Sequence, residues 1–182
     1  MVDTLIRNVR VYDGTGGAPY AADVAISGDR IVHLGAEAGL RAELEIDGAG
    51  LGLSPGFIDA HSHDDLAVIQ KPAMLPKLSQ GVTTVVVGNC GISAAPVRLR
   101  AAPPDPMNLL GRAEEFRYAR FADYVQAVDA AKPAVNVAAL VGHTSLRQNQ
   151  MNDLGRAASA SELAAMRAEL VAALDDGALG LS

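Results

Sequence analysis

Apolar and polar positions follow two different patterns along the chain. Over residues 1–53, short apolar runs are broken by glycine-rich turns. Asp23–Ile26 and Arg30–Leu34, for example, flank Ser27-Gly28-Asp29, which is a hairpin signal. The pattern predicts a small β-domain over residues 1–53.

From residue 54 onward, the pattern alternates between strands and helices. Predicted strands are Phe57–His63, Val82–Val87 and Val135–Val141, and a fourth begins at Ala178. The two valine-rich runs are typical of strands buried on both faces of a parallel sheet. Alternating strands and helices with right-handed crossovers indicate an α/β fold. Because the last strand stops at Ser182, we expect residues 54–182 to be the first part of a (β/α)8 barrel, truncated there.

The predicted helices have distinct boundaries and faces. A short helix is interrupted by two prolines and ends near Gly81, and a second helix has an apolar face. A later helix opens with the capping box Ser159–Glu162. The apolar faces comprise Phe121, Tyr124, Val125 and Val128 in one helix, and Leu163, Met166, Leu170 and Leu174 in the other. The proline-rich segment 96–108 is long enough to be a lid or site loop.

Composition excludes several kinds of partner. The net charge of −6 argues against nucleic acid and anionic membrane, which require basic surfaces. No apolar run approaches the ~18 residues of a membrane span, and no secretory signal is visible. A single cysteine fits a reducing compartment. We therefore expect a cytoplasmic protein.

Two of the four histidines, His61 and His63, stand two residues apart at the end of the first predicted strand. Alternate strand residues share a face, so Asp59 and, if the strand continues, Asp65 would point the same way. Two imidazoles and a carboxylate suit zinc. The alternative is that the two histidines simply form hydrogen bonds in a loop.

The next two predicted strands also end in candidate ligands. Cys90 lies between glycines after Val82–Val87, and His143 follows the third strand. The carboxyl ends of barrel strands face one mouth, and a thiolate is a good zinc ligand. A lone cysteine is otherwise a small buried apolar residue. Three successive strands ending this way favour a metal-dependent enzyme.

Four stretches carry a family resemblance. Pro55–Asp65 resembles the first-strand signature of the amidohydrolase superfamily, and Gln80–Ser93 is similar to one branch, the N-acyl-D-amino-acid deacylases or D-aminoacylases. Leu140–Arg147 and Gly177–Ser182 resemble later stretches of that branch. Most amidohydrolases have a carboxylated lysine where this branch has a cysteine.

The resemblance implies a cofactor of one or two Zn²⁺ ions. It implies that His61 and His63 hold a weakly bound metal position, and that Cys90 ligates the tightly held zinc and bridges two metals. Asp65 and His143 would contact the substrate or support the ligands, whereas Arg147 suits structural packing equally well.

The resemblance also implies the reaction, which is zinc-dependent hydrolysis of the amide of a small-molecule N-acyl-D-amino acid to a carboxylate and a D-amino acid. The remaining histidine ligands and the general-base aspartate are expected beyond Ser182. We therefore expect these 182 residues alone to be inactive, and the exposed half-barrel to self-associate.

Two alternatives stay open. One is a cyclic-amide amidohydrolase resembling dihydropyrimidinases and hydantoinases, against which the cysteine motif argues. The other is a non-catalytic, truncated interaction module that pairs through its sheet edge.

Overall fold

The computed structural model describes residues 1–36 and 39–182, which form two compact units, Met1–Pro55 and Gly56–Ser182. The division follows residue 55, whereas the sequence predicts it after residue 53. In the described part of the chain, no helix combines the length and apolar character that crossing a membrane requires.

The first unit is a five-stranded sheet with the order β3-β2-β1-β4, and β5 also pairs with β1. Its strands are β1 (Val2–Val11), β2 (Tyr20–Ser27), β3 (Arg30–Gly35), β4 (Ala42–Asp47) and β5 (Gly52–Leu53). The predicted hairpin is confirmed, since β2 and β3 pair antiparallel around the turn at Gly28-Asp29. The register of β1 against β2 shifts between Ile6 and Val9, which breaks the period-two burial along β1.

The second unit contains a three-stranded parallel sheet with the order β6-β7-β8. Its strands are β6 (Phe57–Asp59), β7 (Val82–Val87) and β8 (Asn136–Ala139). The chain after Gly177 continues the sheet, because Val141 and Leu181 form a parallel bridge. The Leu179 N–H also donates to the Ala139 carbonyl at 2.9 Å. This confirms the prediction of a strand beginning there.

Two of the strands are shorter than predicted. The strand β6 ends at Asp59 rather than His63, because the His61 N–H turns to the Asp59 carboxylate at 3.2 Å. Likewise, β8 ends at Ala139 rather than Val141. The two histidines therefore lie in a loop, and strand alternation does not determine where they point.

Within residues 1–182, the valine-rich strands are not fully buried on both faces. In β7, Val85 and Val87 are buried whereas Thr83 is exposed, and no residue within β8 itself is fully buried. One face of β7 packs in a cluster with Val68 and Met74 from the segment that follows β6. The side chains of the other face remain partly accessible.

Five helices and two 3-10 turns connect the strands of the second unit. The helices are α1 (Ala67–Gln70), α2 (Leu75–Leu78), α3 (Phe121–Ala131), α4 (His143–Gln150) and α5 (Ala160–Asp175), and the 3-10 turns are Met107–Leu109 and Ala113–Glu115. The predicted face of α3 is confirmed, with Phe121 and Tyr124 buried and Val125 and Val128 partly buried.

Helix α5 differs from its predicted face. Its capping box is present, and the predicted Met166 and Leu170 are buried and partly buried. Leu163 and Leu174, however, are 45% and 42% exposed, and Ala173 is buried instead. The small side chain of Ala173 faces the core in place of Leu174. In this alanine-rich helix, the positions of the leucines alone do not identify the buried face.

Both ends of the proline-rich segment are anchored in the core. Val97 and Met107 are buried in a cluster with Ile92, Leu110 and Phe116. Val97 and Met107 anchor the ends of the segment, whereas Arg98, Arg100 and Asp105 between them are exposed. The expectation of a lid or site loop over residues 96–108 stays a prediction.

The ion pair between Arg156 and Glu162 at the start of α5 should stabilise the fold at neutral pH and be lost in acid. The guanidinium of Arg156 holds the pKa of Glu162 to about 2, and the Ser159 N–H acts in the same direction. A lowered carboxyl pKa stabilises the fold above the ordinary value of 4.5, and this contribution is lost as the pH falls towards about 2. Carboxyl NMR titration should give a strongly depressed Glu162 pKa that rises in Arg156→Met. An unshifted pKa in the unaltered protein would contradict the expectation.

Candidate metal centre

Three side chains from two neighbouring strand ends come together. His61 and His63 lie in the loop after β6, and Cys90 lies in the turn after β7. One ligand atom from each lies within 4.8 Å of the other two. Nε2 of His61 is 2.9 Å from Sγ of Cys90, and the two imidazole centroids are 5.8 Å apart. Parallel strands with a common carboxyl edge produce this convergence.

The donor set fits a transition metal. Two imidazole nitrogens and one sulfur are ligand types that zinc accepts, and three protein ligands leave a coordination position open. His61 and Cys90 are exposed, so an ion from solvent can reach them. Among the described residues, this is the one group of three or more such side chains close enough to share an ion.

The turn that carries Cys90 has an unusual backbone. Gly88, Cys90 and Gly91 have φ values of 78°, 56° and 74°. A Cβ at Gly88 would lie 2.1 Å from the Leu140 carbonyl oxygen, so only glycine fits there. A cysteine with positive φ costs on the order of 1–3 kcal/mol and persists where its surroundings fix it. The turn therefore needs strong supports.

Ser182 and α4 support the turn from one side. The Ser182 hydroxyl donates to the Gly88 carbonyl at 2.6 Å and accepts from the Gly91 N–H at 3.1 Å. At the start of α4, the Thr144 N–H donates to the Gly91 carbonyl at 2.7 Å. Both glycines that flank Cys90 are thus hydrogen-bonded to the segments that follow.

Asp65 supports the turn from the other side. Its side chain is buried, with 1% of the residue exposed, and accepts from the Gly88 N–H at 3.2 Å and the Ala94 N–H at 3.0 Å. Burial raises the pKa of Asp65, while the two backbone donors favour its charged form. The expectation that Asp65 points the same way as the histidines is wrong, because β6 does not continue that far.

Ser62 and Asn89 join the histidine loop to the cysteine turn, and sequence reasoning missed both. The N–H and hydroxyl of Ser62 each donate to the Val86 carbonyl at 3.1 Å. The Asn89 amide donates to that carbonyl at 2.8 Å and to the Ser62 carbonyl at 3.3 Å. Each residue adjoins a candidate ligand, and this adjacency was the one feature of the sequence that could have identified them.

Lys77 of α2 was also missed. Its Nζ lies 2.6 Å from Asp59 Oδ2 and 2.9 Å from Asp64 Oδ2. The hydrogen bond to Asp59 is the main cause that raises the pKa of Lys77, and the ammonium in turn lowers the pKa of Asp59. The ammonium of Lys77 and the carboxylate of Asp59 are therefore both charged at neutral pH.

The remaining candidates lie outside the cluster. His143 is exposed at the first position of α4, and its N–H donates to the Ser182 carbonyl at 3.0 Å. The Arg147 guanidinium donates to the Leu154 and Arg156 carbonyls, each at 2.7 Å, which closes the segment after α4. The contacts of Arg147 are thus structural.

Together, the parallel strands and the cluster at their carboxyl ends define an α/β protein with a candidate transition-metal centre. The chain belongs to the amidohydrolase family, whose model matches residues 44–182. It is 51% identical over 180 residues to N-acyl-D-aspartate deacylase of Alcaligenes xylosoxydans xylosoxydans, covering 99% of this chain and 36% of that protein.

Two solved structures are similar over nearly the whole chain. One is a D-aminoacylase described with a binuclear metal centre (49% identity, TM-score 0.95), and all of this chain matches 38% of it. The other is N-acyl-D-glutamate deacylase of Bordetella bronchiseptica, solved with zinc and a phosphonate inhibitor (42% identity, TM-score 0.90). There, 99% of this chain matches 38% of the solved chain.

These matches confirm the predicted family resemblance and the predicted α/β amidohydrolase fold. The chain spans 36–38% of the length of these relatives.

The support of the cysteine turn by Asp65 can be tested by substitution. In Asp65→Asn, an amide group replaces one acceptor, so one buried backbone N–H loses its partner. We expect the free energy of unfolding to fall by about 1–3 kcal/mol in urea titrations. The control is Asp129→Asn on the exposed side of α3, which should change little. Equal stability of the two variants would show that Asp65 does not support the turn.

Proposed function

We propose that this protein is a zinc-dependent hydrolase of N-acyl-D-amino acids, with His61, His63 and Cys90 as metal ligands. The convergence of two imidazoles and one thiol within 4.8 Å carries the proposal. When bound, zinc supplies Lewis-acid polarisation of the substrate's amide carbonyl. The relatives described with zinc and with a binuclear centre support one or two ions.

The residues of the chain have separate parts in this proposal. His61 and His63 would hold the metal through imidazole nitrogens, and Cys90 would hold it through its sulfur. Asp65 and Ser182 hold the cysteine turn by the backbone. The exposed faces of His61 and Cys90 are open to a small substrate. We do not assign His143 to the metal, because it lies outside the group of three.

The substrate class follows from the relatives. N-acyl-D-aspartate deacylase, D-aminoacylase and N-acyl-D-glutamate deacylase all match nearly the whole chain at 45–51% identity. An L-hydantoinase matches with a TM-score of 0.53 at 16% identity, which shows the fold alone. We therefore favour a linear N-acyl-D-amino acid over a cyclic amide.

We further propose that residues 1–182 do not supply the general base of the reaction. Three carboxylates lie within two residues of the candidate ligands in sequence, and each already has an ion-pair or hydrogen-bond partner. Asp59 and Asp64 pair with Lys77, and Asp65 is buried against backbone N–H groups. A carboxylate from another part of the protein is needed.

We also propose that the protein is cytoplasmic and that it binds neither nucleic acid nor membrane. A free thiol at Cys90 fits a reducing cytoplasm. The charge of −6 favours neither nucleic acid nor an anionic membrane.

Zinc content tests the ligand assignment. In Cys90→Ser and His61→Ala, metal analysis of the purified protein should show a loss of bound zinc, because each variant lacks one of three donors. His143→Ala is the matched control, since it removes an exposed imidazole outside the cluster, and its zinc content should be unchanged. Unchanged zinc in Cys90→Ser would remove the thiol from the site.

Activity tests the placement of the base. A polypeptide limited to residues 1–182 should release no D-aspartate from N-acetyl-D-aspartate above the rate without protein, even when loaded with zinc. The L-enantiomer and a cyclic imide serve as comparison substrates. Measurable D-specific release would show that these residues contain a base, and preferential turnover of the imide by the whole protein would favour the cyclic-amide alternative.

A further inference from the structure

We propose that Lys77 is a positioning residue that fixes the geometry of the His61-Ser62-His63 loop by holding the carboxylates on both sides of it. This inference rests on the proposed zinc site. Lys77 comes from α2, and its side chain reaches back to Asp59 at the end of β6 and to Asp64 beyond it.

The two carboxylates flank the candidate ligands closely. Asp59 lies two residues before His61, and Asp64 directly follows His63. One ammonium group contacts both, at 2.6 Å and 2.9 Å. The side chains of Asp59, Asp64 and Lys77 are only 24–27% exposed, so solvent screens the pairs less than it would on an open surface. The bridge therefore joins the two ends of the ligand-bearing loop.

Asp59 transmits this constraint to the backbone of a ligand. While Oδ2 pairs with Lys77, Oδ1 accepts from the His61 N–H at 3.2 Å. The orientation of the carboxylate thus determines where that N–H is held. On the other side, the Asp64 carbonyl accepts from the Val68 N–H at 3.0 Å. Loss of the ammonium would release both side-chain contacts at once.

The helix that carries Lys77 is itself fixed to the sheet. Met74, which precedes α2, has a φ of 45° and is 5% exposed. Its side chain packs in the cluster that contains Val68, Val85 and Val87. Lys77 therefore extends from an anchored segment, which is what a positioning residue requires.

Lys77 acts through these aspartates rather than on a metal or substrate. An ammonium between two carboxylates stays protonated and has no lone pair to offer a cation. Its own positive charge, held against carboxylates that flank the histidines in sequence, repels a cation. Removing the charge of Lys77 should therefore strengthen zinc binding if the residue acts by repulsion, and weaken it if the residue positions the loop.

The experiment measures zinc affinity by chelator competition for the whole protein and for Lys77→Met. If Lys77 positions the loop, the variant should bind zinc about 10–100-fold more weakly, as is typical when residues behind metal ligands are changed. If Lys77 acts only through its charge, the variant should bind zinc more tightly. Unchanged or tighter binding would overturn the proposal.

Two matched variants complete the test. Lys77→Arg keeps a cationic donor and should recover most of the affinity, which a requirement for lysine packing alone would not predict. Lys71→Met removes an exposed ammonium six residues earlier, for which the described residues provide no ion pair, and zinc affinity should not change. Weaker binding in Lys71→Met equal to that in Lys77→Met would overturn the specific role.

Asp59→Asn gives a second route if Lys77→Met does not fold. An asparagine oxygen can still accept from the His61 N–H, but the charged partner of Lys77 is lost. We expect weaker zinc binding, and in Lys77→Met/Asp59→Asn a loss smaller than the sum of the single losses. Unchanged affinity in Asp59→Asn would contradict the proposal.

The same titration separates this inference from the proposed function. If Cys90→Ser and His61→Ala bind zinc as the unaltered protein does, the proposed site itself is wrong. If they lose zinc while Lys77→Met keeps its affinity, the site stands and only the role of Lys77 is rejected.

Discussion

The candidate site depends on one buried carboxylate that joins two loops. Asp65 follows the histidine loop, yet both of its oxygens accept N–H groups from the segment that carries Cys90, at Gly88 and Ala94. A buried carboxylate is costly unless it is hydrogen-bonded, so these two bonds and the position of the cysteine turn are interdependent. The Tyr124 hydroxyl also donates to the Asp65 carbonyl at 2.9 Å, which ties the same residue to α3. The distance between imidazole and thiol therefore follows from packing inside the second unit.

The supports of the site share one feature, which is that each acts on a neighbour of a candidate ligand. Ser62 and Asn89 adjoin His61 and Cys90 and bond to one carbonyl, that of Val86. Ser182 bonds to the two glycines around Cys90. The backbone is thereby fixed, while the imidazoles and the thiol are left to act as donors. This division of roles also explains why a left-handed cysteine is sustained, because the hydrogen bonds at the flanking residues offset its backbone strain.

The sequence predicts which side chains converge at the candidate site but not what holds them in place. His61, His63 and Cys90 are predictable because short spacing and strand ends are local features of a sequence. The strand β7, after which Cys90 lies, begins and ends at the predicted residues. The length of β6 was overestimated, because hydrophobic alternation cannot detect that the Asp59 side chain captures the His61 N–H. Lys77 and Asp59 are 18 residues apart, so their pairing depends on how α1 and α2 fold back over the strand. Helix α5 shows the same limit, since the burial of Ala173 rather than Leu174 is decided by its neighbours.

The arrangement of charge around the loop completes the argument. Three carboxylates, those of Asp59, Asp64 and Asp65, lie close to His61 and His63 in sequence. If they were free, they would offer oxygen ligands to harder cations such as magnesium and calcium. Lys77 pairs with Asp59 and Asp64, and Asp65 is buried against backbone N–H groups, so none of the three carboxylates is free. What the loop presents is then nitrogen and sulfur, the donors that favour zinc over magnesium or calcium. The ion pairs of Lys77 with Asp59 and Asp64 therefore have two effects. They order the histidine loop, and they keep oxygen ligands away from a metal bound to it.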